Sequence, residues 1–172
     1  MTTLRTACEG DIEAIVQLVN AAYRPAPGAA GWTHEGHLVA GPRIAAKQVR
    51  ALFGDRSTIL LLCDEQRTVA CVHVKASDGV ACIGMLATEP ASQARGLGKQ
   101  LLAHAEAHAL QHFGAELLRM TVLSSRPDLL AFYGRRGYEP TGETLAYPPE
   151  AGVGEPRVAG LQLLCLEKRL PV

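Results

Sequence analysis

Residues 93–99 read QARGLGK. They lie between an apolar run, VACIGMLAT at 80–88, and a run whose apolar residues recur at helical spacing as far as Phe113. Strand, glycine-containing turn, then helix is a demanding layout. It aims unpaired backbone N–H groups and the positive end of a helix dipole at one point in space, where an anion can sit. Gly96 and Gly98 remove the β-carbons that would hold such an anion away from the backbone. Whatever fold the chain adopts must place this turn at the edge of an accessible cleft.

Three kinds of turn compete for the pattern. A P-loop needs GxxxxGK followed by Ser or Thr, but Gln93 stands where its first glycine belongs and Gln100 follows Lys99. A dinucleotide turn needs GxGxxG early in a βαβ series, but position 101 is leucine and the segment sits mid-chain. The third is Q/R-x-x-G-x-G/A, which QARGLG satisfies. The wider stretch IGMLATEPASQARGLGKQLLAHAEAHA has an apolar strand, a proline three residues before the glutamine, the turn and an amphipathic helix. About forty residues on, VLSSRPDLLAFYGRRGYEPTGE offers Phe132–Tyr133 on a short helix and then Gly137–Tyr138. In both stretches the chain resembles the GNAT superfamily of acyl-CoA-dependent N-acyltransferases.

The rest of the chain reads as one mixed α/β domain over 1–172. A short strand at LRTA precedes a helix IEAIVQLVNAAY capped by Asp11, and RPAPGAAG breaks it. RIAAKQVRALF reads as a second helix ending at Gly54, and STILLLCD with TVACVHVKA reads as an antiparallel hairpin. After the long helix through Phe113 come the strand ELLRMTVL and the helix SRPDLLAFYGRR. Ser125 and Asp128 are spaced there as a capping box, and AGLQLLCLEKRL is a closing strand. The resemblance implies a mixed, mostly antiparallel seven-stranded sheet with helices on both faces. Its fourth and fifth strands would splay apart to admit a pantetheine arm.

With 17 basic and 17 acidic residues the formal charge is zero, so no general positive field exists to gather nucleic acid or an anionic membrane. No bilayer-spanning apolar run and no signal-like N-terminus appear, and five cysteines without a CxxC pair read as small hydrophobes of a reducing cytoplasm. His104, His108 and His112 recur every four residues on one helix, but they flank its apolar side without a completing carboxylate or thiol, so no metal is expected.

As what the resemblance implies, acetyl-CoA is the co-substrate. Met85, Leu86, Ala87 and Thr88 lie on the splayed strand, with N–H groups near Leu86 and Ala87 polarising the thioester carbonyl. Gln93, Ala94, Arg95, Gly96, Leu97, Gly98 and Lys99 form the pyrophosphate turn, and Tyr133 donates a proton to sulfur. Arg95, Lys99, Arg135 and Arg136 gather near the phosphates, unless they are plain surface charges, a reading as open for Arg135 and Arg136 as the other. Ala94 replaces a common glycine, which is tolerable if its φ is negative. Arg126 replaces a common asparagine, so Ser125 or backbone must supply the contact to pantetheine. The acceptor end is expected from GWTHEGH, with Trp32 stacking on the substrate and Glu35 drawing its ammonium and taking a proton through water. His34 and His73 are rival bases and His73 a candidate substrate contact, although His73 reads more readily as a satisfied sheet histidine. The function implied is N-acetyl transfer to the primary amine of a small molecule or amino acid, in a protein that can be a homodimer. A non-catalytic acyl-CoA sensor is the alternative.

Overall fold

The computed structural model describes residues 1–24, 37–148 and 154–171. Seven strands form the main sheet: β1 (Thr2–Thr6), β3 (Ser57–Asp64), β4 (Arg67–Ser77), β5 (Val80–Thr88), β6 (Leu117–Leu123), β7 (Glu139–Ala146) and β9 (Gln162–Arg169). A two-stranded ribbon pairs β2 (Val39–Ala40) with β8 (Glu155–Pro156). The helices are α1 (Ile12–Tyr23), α2 (Ala46–Arg50), α3 (Leu97–Phe113) and α4 (Pro127–Gly134). The sheet order is β1-β3-β4-β5-β6-β9-β7, antiparallel throughout except for β5 beside β6. Among the described residues, no helix is long and apolar enough to cross a membrane.

Each sheet face has its own core. Ile12, Ile15, Val19 and Ala22 turn one stripe of α1 onto the face that carries Ile59, Leu61 and Cys71. Leu97, Leu101, Leu102, Ala105 and Ala109 of α3 cover the other face, over Leu60, Val72 and Leu118. Gly114, at φ +62 in the left-handed region, ends α3.

The strand that feeds the turn carries the decisive irregularity. Between Cys71 and His73 of β4, β5 fits one extra residue: Cys71 pairs with Ala87 but His73 with Gly84. Met85 sits in this bulge at φ +53. Because strand side chains alternate with period two, the extra residue exchanges the faces. Ala81 and Ile83 point into the α3 core, whereas Met85 and Ala87 point into the α1 core. Strands β5 and β6, the fourth and fifth across the sheet, pair only at Val80–Leu117, Ala81–Leu118 and Cys82–Arg119. Beyond Cys82 they part, as the family resemblance implies.

Four local expectations need correction. The second helix is short because Asn20 claims its expected start: its side-chain oxygen accepts from the N–H groups of Arg43 (2.8 Å) and Ile44 (3.1 Å). Ser125 caps nothing; Arg126 is the N-cap, since a residue before proline is pushed out of the helical region and Pro127 takes the first helical position. Asp128 instead accepts a forked pair of bonds from Arg126, at 3.0 and 2.7 Å. Ala94 has φ +69, not a negative value. Finally, Cys8 and Cys82 are exposed, although Cys82 lies in an apolar run; all five thiols are free.

Candidate active site

The turn leads into a helix whose N-terminus is open. Ala94 and Gly96 both adopt left-handed backbone, at φ +69 and +76, and no side chain caps α3. The first helical bond runs from Gln100 N–H to the Gly96 carbonyl. Among the described residues, nothing accepts from the N–H groups of Gly96, Leu97, Gly98 and Lys99. No acidic residue occupies the first turn to offset the dipole. Four aligned donors with no internal partner make a ready site for a diphosphate.

Against this turn lies a cavity of about 290 Å³, walled by Thr88, Gln93, Ala94, Gly96, Gly98 and Lys99 on one side and by Phe132 and Arg136 of the α4 region on the other. A second cavity of about 250 Å³ opens from the gap between β5 and β6, between Gly84 and Met85 on one strand and Met120 to Leu123 on the other. Tyr23, Leu86, Leu129 and Tyr133 line both. The two spaces therefore meet where the sheet is parted, with Tyr133 at the junction.

Tyr133 is buried, braced edge-on by Phe132 with ring centroids 5.2 Å apart and by Tyr138 at 5.9 Å. Its hydroxyl bonds to no described group, and burial pushes its pKa up to about 12 despite the nearby charges of Arg126 and Arg136. It is thus a protonated donor facing open space at neutral pH. Tyr23, at the end of α1, donates to the Leu86 carbonyl at 2.6 Å and so fixes the bulge against the helix.

Arg136 lies over the Phe132 ring, its guanidinium carbon 3.7 Å from the centroid, and donates from Nη1 to the Phe132 carbonyl at 2.6 Å. Its buried Nε has no partner among the described residues. Burial, with Arg135 beside it, lowers its pKa. A cationic donor left unsatisfied on the wall of the first cavity is suited to an anion or amide of a bound molecule. Open amides, an orphaned arginine nitrogen and an apolar groove between them fit a pyrophosphate followed by an acyl-pantetheine arm.

The remaining site expectations divide clearly. Met85 lines the second cavity, and Ala87 lines neither, since it pairs with Cys71 and packs under α1. Arg95 and Ser125 also lie outside both cavities; Arg95 sits 3.7 Å from Asp64 and Ser125 is exposed. His73 lines neither cavity and shares a 2.8 Å hydrogen bond with Ser57, and burial, with Lys75 nearby, lowers its pKa to about 4. Trp32, His34 and Glu35 fall outside the described residues. Among the described residues no group of three or more potential ligands could hold a metal ion. Sequence reasoning passed over Tyr23, Arg43 and Tyr147, because a tyrosine ending a helix and two residues beside prolines carry no motif.

Residues 12–138 match the family model described as the acetyltransferase (GNAT) family. No curated protein matches the sequence. Among solved structures, the chain is similar to a ribosomal-protein-alanine N-acetyltransferase from Escherichia coli, at 19% identity and TM-score 0.74, over 100% of this chain and 96% of that one. It is also similar to a GNAT acetyltransferase from Elizabethkingia anophelis with acetyl-CoA bound, at 15% identity and TM-score 0.69, over 98% of each chain. A Vibrio cholerae-derived chimera of spermidine N-acetyltransferase matches at 13% identity and TM-score 0.69, over 98% and 95%. At these identities the structural likeness speaks for the fold, and the match of the family model speaks for descent. With its open turn, parted strands and Tyr133, the chain belongs to the GNAT family of acetyltransferases, enzymes that use acetyl-CoA to acetylate amines.

Proposed function

We propose that this protein transfers the acetyl group of acetyl-CoA to the primary amine of a small molecule or amino acid, by direct attack with both substrates bound. The observation that carries this reading is the meeting of two cavities, one at the open turn and one opening from the gap between the parted strands, with Tyr133, whose hydroxyl has no described partner, where they meet. Acetyl-CoA, when bound, supplies an activated thioester. Gly96 to Lys99 would hold its diphosphate through main-chain N–H groups, with Arg136 adding a charge-assisted donor. Leu86, at the edge of the open gap, is placed to present backbone to the acyl carbonyl; Ala87, paired with β4, is not.

Tyr133 would give its proton to the departing sulfur. A phenol at about 12 is a weaker acid than a free thiol, whose reference value is near 8.5. A thiolate formed in the same apolar cleft is raised by the same desolvation, which narrows the mismatch. Glu35 is the proposed base that relieves the attacking ammonium of its proton, with Trp32 against the substrate; both lie in 25–36. Cys71 is unsuited to forming an acyl-enzyme, because it is fully buried and burial pushes its thiol up to about 12.

The test is release of free thiol from acetyl-CoA across a panel of amines, comparing wild type with Tyr133→Phe and Glu35→Gln. Tyr133→Phe is expected to lower kcat by roughly a hundredfold with little change in acetyl-CoA affinity. Glu35→Gln is expected to depress the alkaline-favoured rise of kcat/KM. If wild type and Tyr133→Phe both bind CoA but neither releases thiol with any amine of the panel, the protein is a sensor and the transfer reading falls.

A further inference from the structure

Among the described residues lining the second cavity, Arg43 is the only charged one. Its guanidinium stands 5.6 Å from the centroid of the Tyr23 ring, and no described carboxylate lies within ion-pairing distance. It is held there on purpose-built backbone, since Asn20 fixes the main chain of Arg43 and Ile44 through three hydrogen bonds of 2.8 to 3.1 Å. Tyr147, on the same cavity, accepts from Nη2 of Arg24 at 3.3 Å, which brings a second guanidinium within one hydrogen bond of the space. Beside Arg43, on the Tyr23 side where the two cavities meet, stand acceptors: the Tyr23 oxygen and the Leu86 carbonyl it is bonded to. The rest of the cavity wall is largely apolar, with Ile83, Met120, Val122, Leu123 and Leu163.

From this polarity we propose that the acceptor is a zwitterion, an amine whose skeleton also carries a carboxylate, with Arg43 as the residue that selects it. The inference rests on the transfer reading above and narrows its substrate class. The carboxylate would engage the Arg43 fork, the neighbouring amine would face the Tyr23–Leu86 junction, and an apolar side chain would project against the apolar wall. A cation on a low-dielectric wall repels a second ammonium and is neutralised by a carboxylate. Polyamines are therefore disfavoured and amino acids with aliphatic or aromatic side chains favoured.

The experiment uses matched pairs: alanine and ethylamine, leucine and 3-methylbutylamine, phenylalanine and phenethylamine. Binding is read by calorimetry on the protein loaded with CoA, which cannot transfer an acyl group; turnover is read separately with acetyl-CoA. At least one amino acid is expected to exceed its decarboxylated partner by about tenfold or more in affinity and in kcat/KM. That ratio should collapse toward one in Arg43→Gln and be kept in part by Arg43→Lys, whose charge survives without the forked geometry. Should Arg43→Gln fail to fold, the Lys variant gives the same reading at smaller amplitude. Equal binding within every pair, no binding by any member, or a preference unchanged in the variants would overturn the proposal. Preferential binding of amino acids without any thiol release would leave the anion site standing and sink acetyl transfer instead.

Discussion

At the scale of single residues, the turn is specified by backbone conformation as much as by chemistry. Gly96 adopts φ +76, a backbone state that strains any other residue, and it lines the first cavity. Gly96→Glu should abolish CoA binding by calorimetry, because it adds left-handed strain and sets a carboxylate against a diphosphate. Ala94 adopts φ +69 despite its β-carbon, so Ala94→Gly should raise stability by about 0.5–1 kcal/mol in urea melts, and a loss of stability would show that the strain is absent.

His73 offers a pH signature. Burial lowers its pKa to about 4, so the folded state refuses a proton that the unfolded chain takes below about 6.5. Its contribution is present at neutral pH and is lost progressively between about 6.5 and 4, amounting to roughly 3 kcal/mol at the lower end. Asp11, whose carboxyl is held low by its bonds to Arg5, loses its contribution only in stronger acid, so the windows separate. Urea midpoints between pH 7 and 4 should fall in wild type and stay flatter in His73→Gln.

At the scale of elements, two features place the site: the bulge in β5 and the ribbon of β2 and β8. The bulge exchanges the faces of β5, sending Met85 and Ala87 under α1 and leaving Leu86 at the gap. The ribbon closes the second cavity's side of the sheet, with Val39 packed against Leu123 and Leu161. Gly154, at φ +110, lets β8 approach so closely that an added β-carbon would meet Arg24 and lie 2.6 Å from the Ala40 carbonyl. Gly154→Ala should cost about 1–3 kcal/mol and displace Arg24 from Tyr147. Its kinetic mark should be a raised KM for the amine with the KM for acetyl-CoA nearly unchanged.

At the scale of the whole molecule, the parted sheet bears on the proposed order of events. The two cavities both reach Tyr133, so on the proposed reading neither substrate would have to leave for the other to enter. Initial-rate plots against both substrates should intersect; parallel lines would require an acyl-enzyme, for which Cys71 is too deeply buried.

The sequence alone determined the pieces whose signal is local. VACIGMLAT, the turn and α3 could be read from apolar spacing and two glycines, and with the Phe132–Tyr133 pair they carried family, cofactor and sheet. Only the tertiary structure decided which side chains line the second cavity. The bulge arises from pairing with a neighbouring strand and the grip of Asn20 on Arg43 from a contact across 23 residues, while the left-handed Ala94 is a backbone state; hydropathy along a single strand is blind to all three. A cavity is made of surfaces from several elements at once, so Tyr23, Arg43 and Tyr147 acquire their meaning only after the chain has brought α1, the Arg43 linker and the end of β7 to one place.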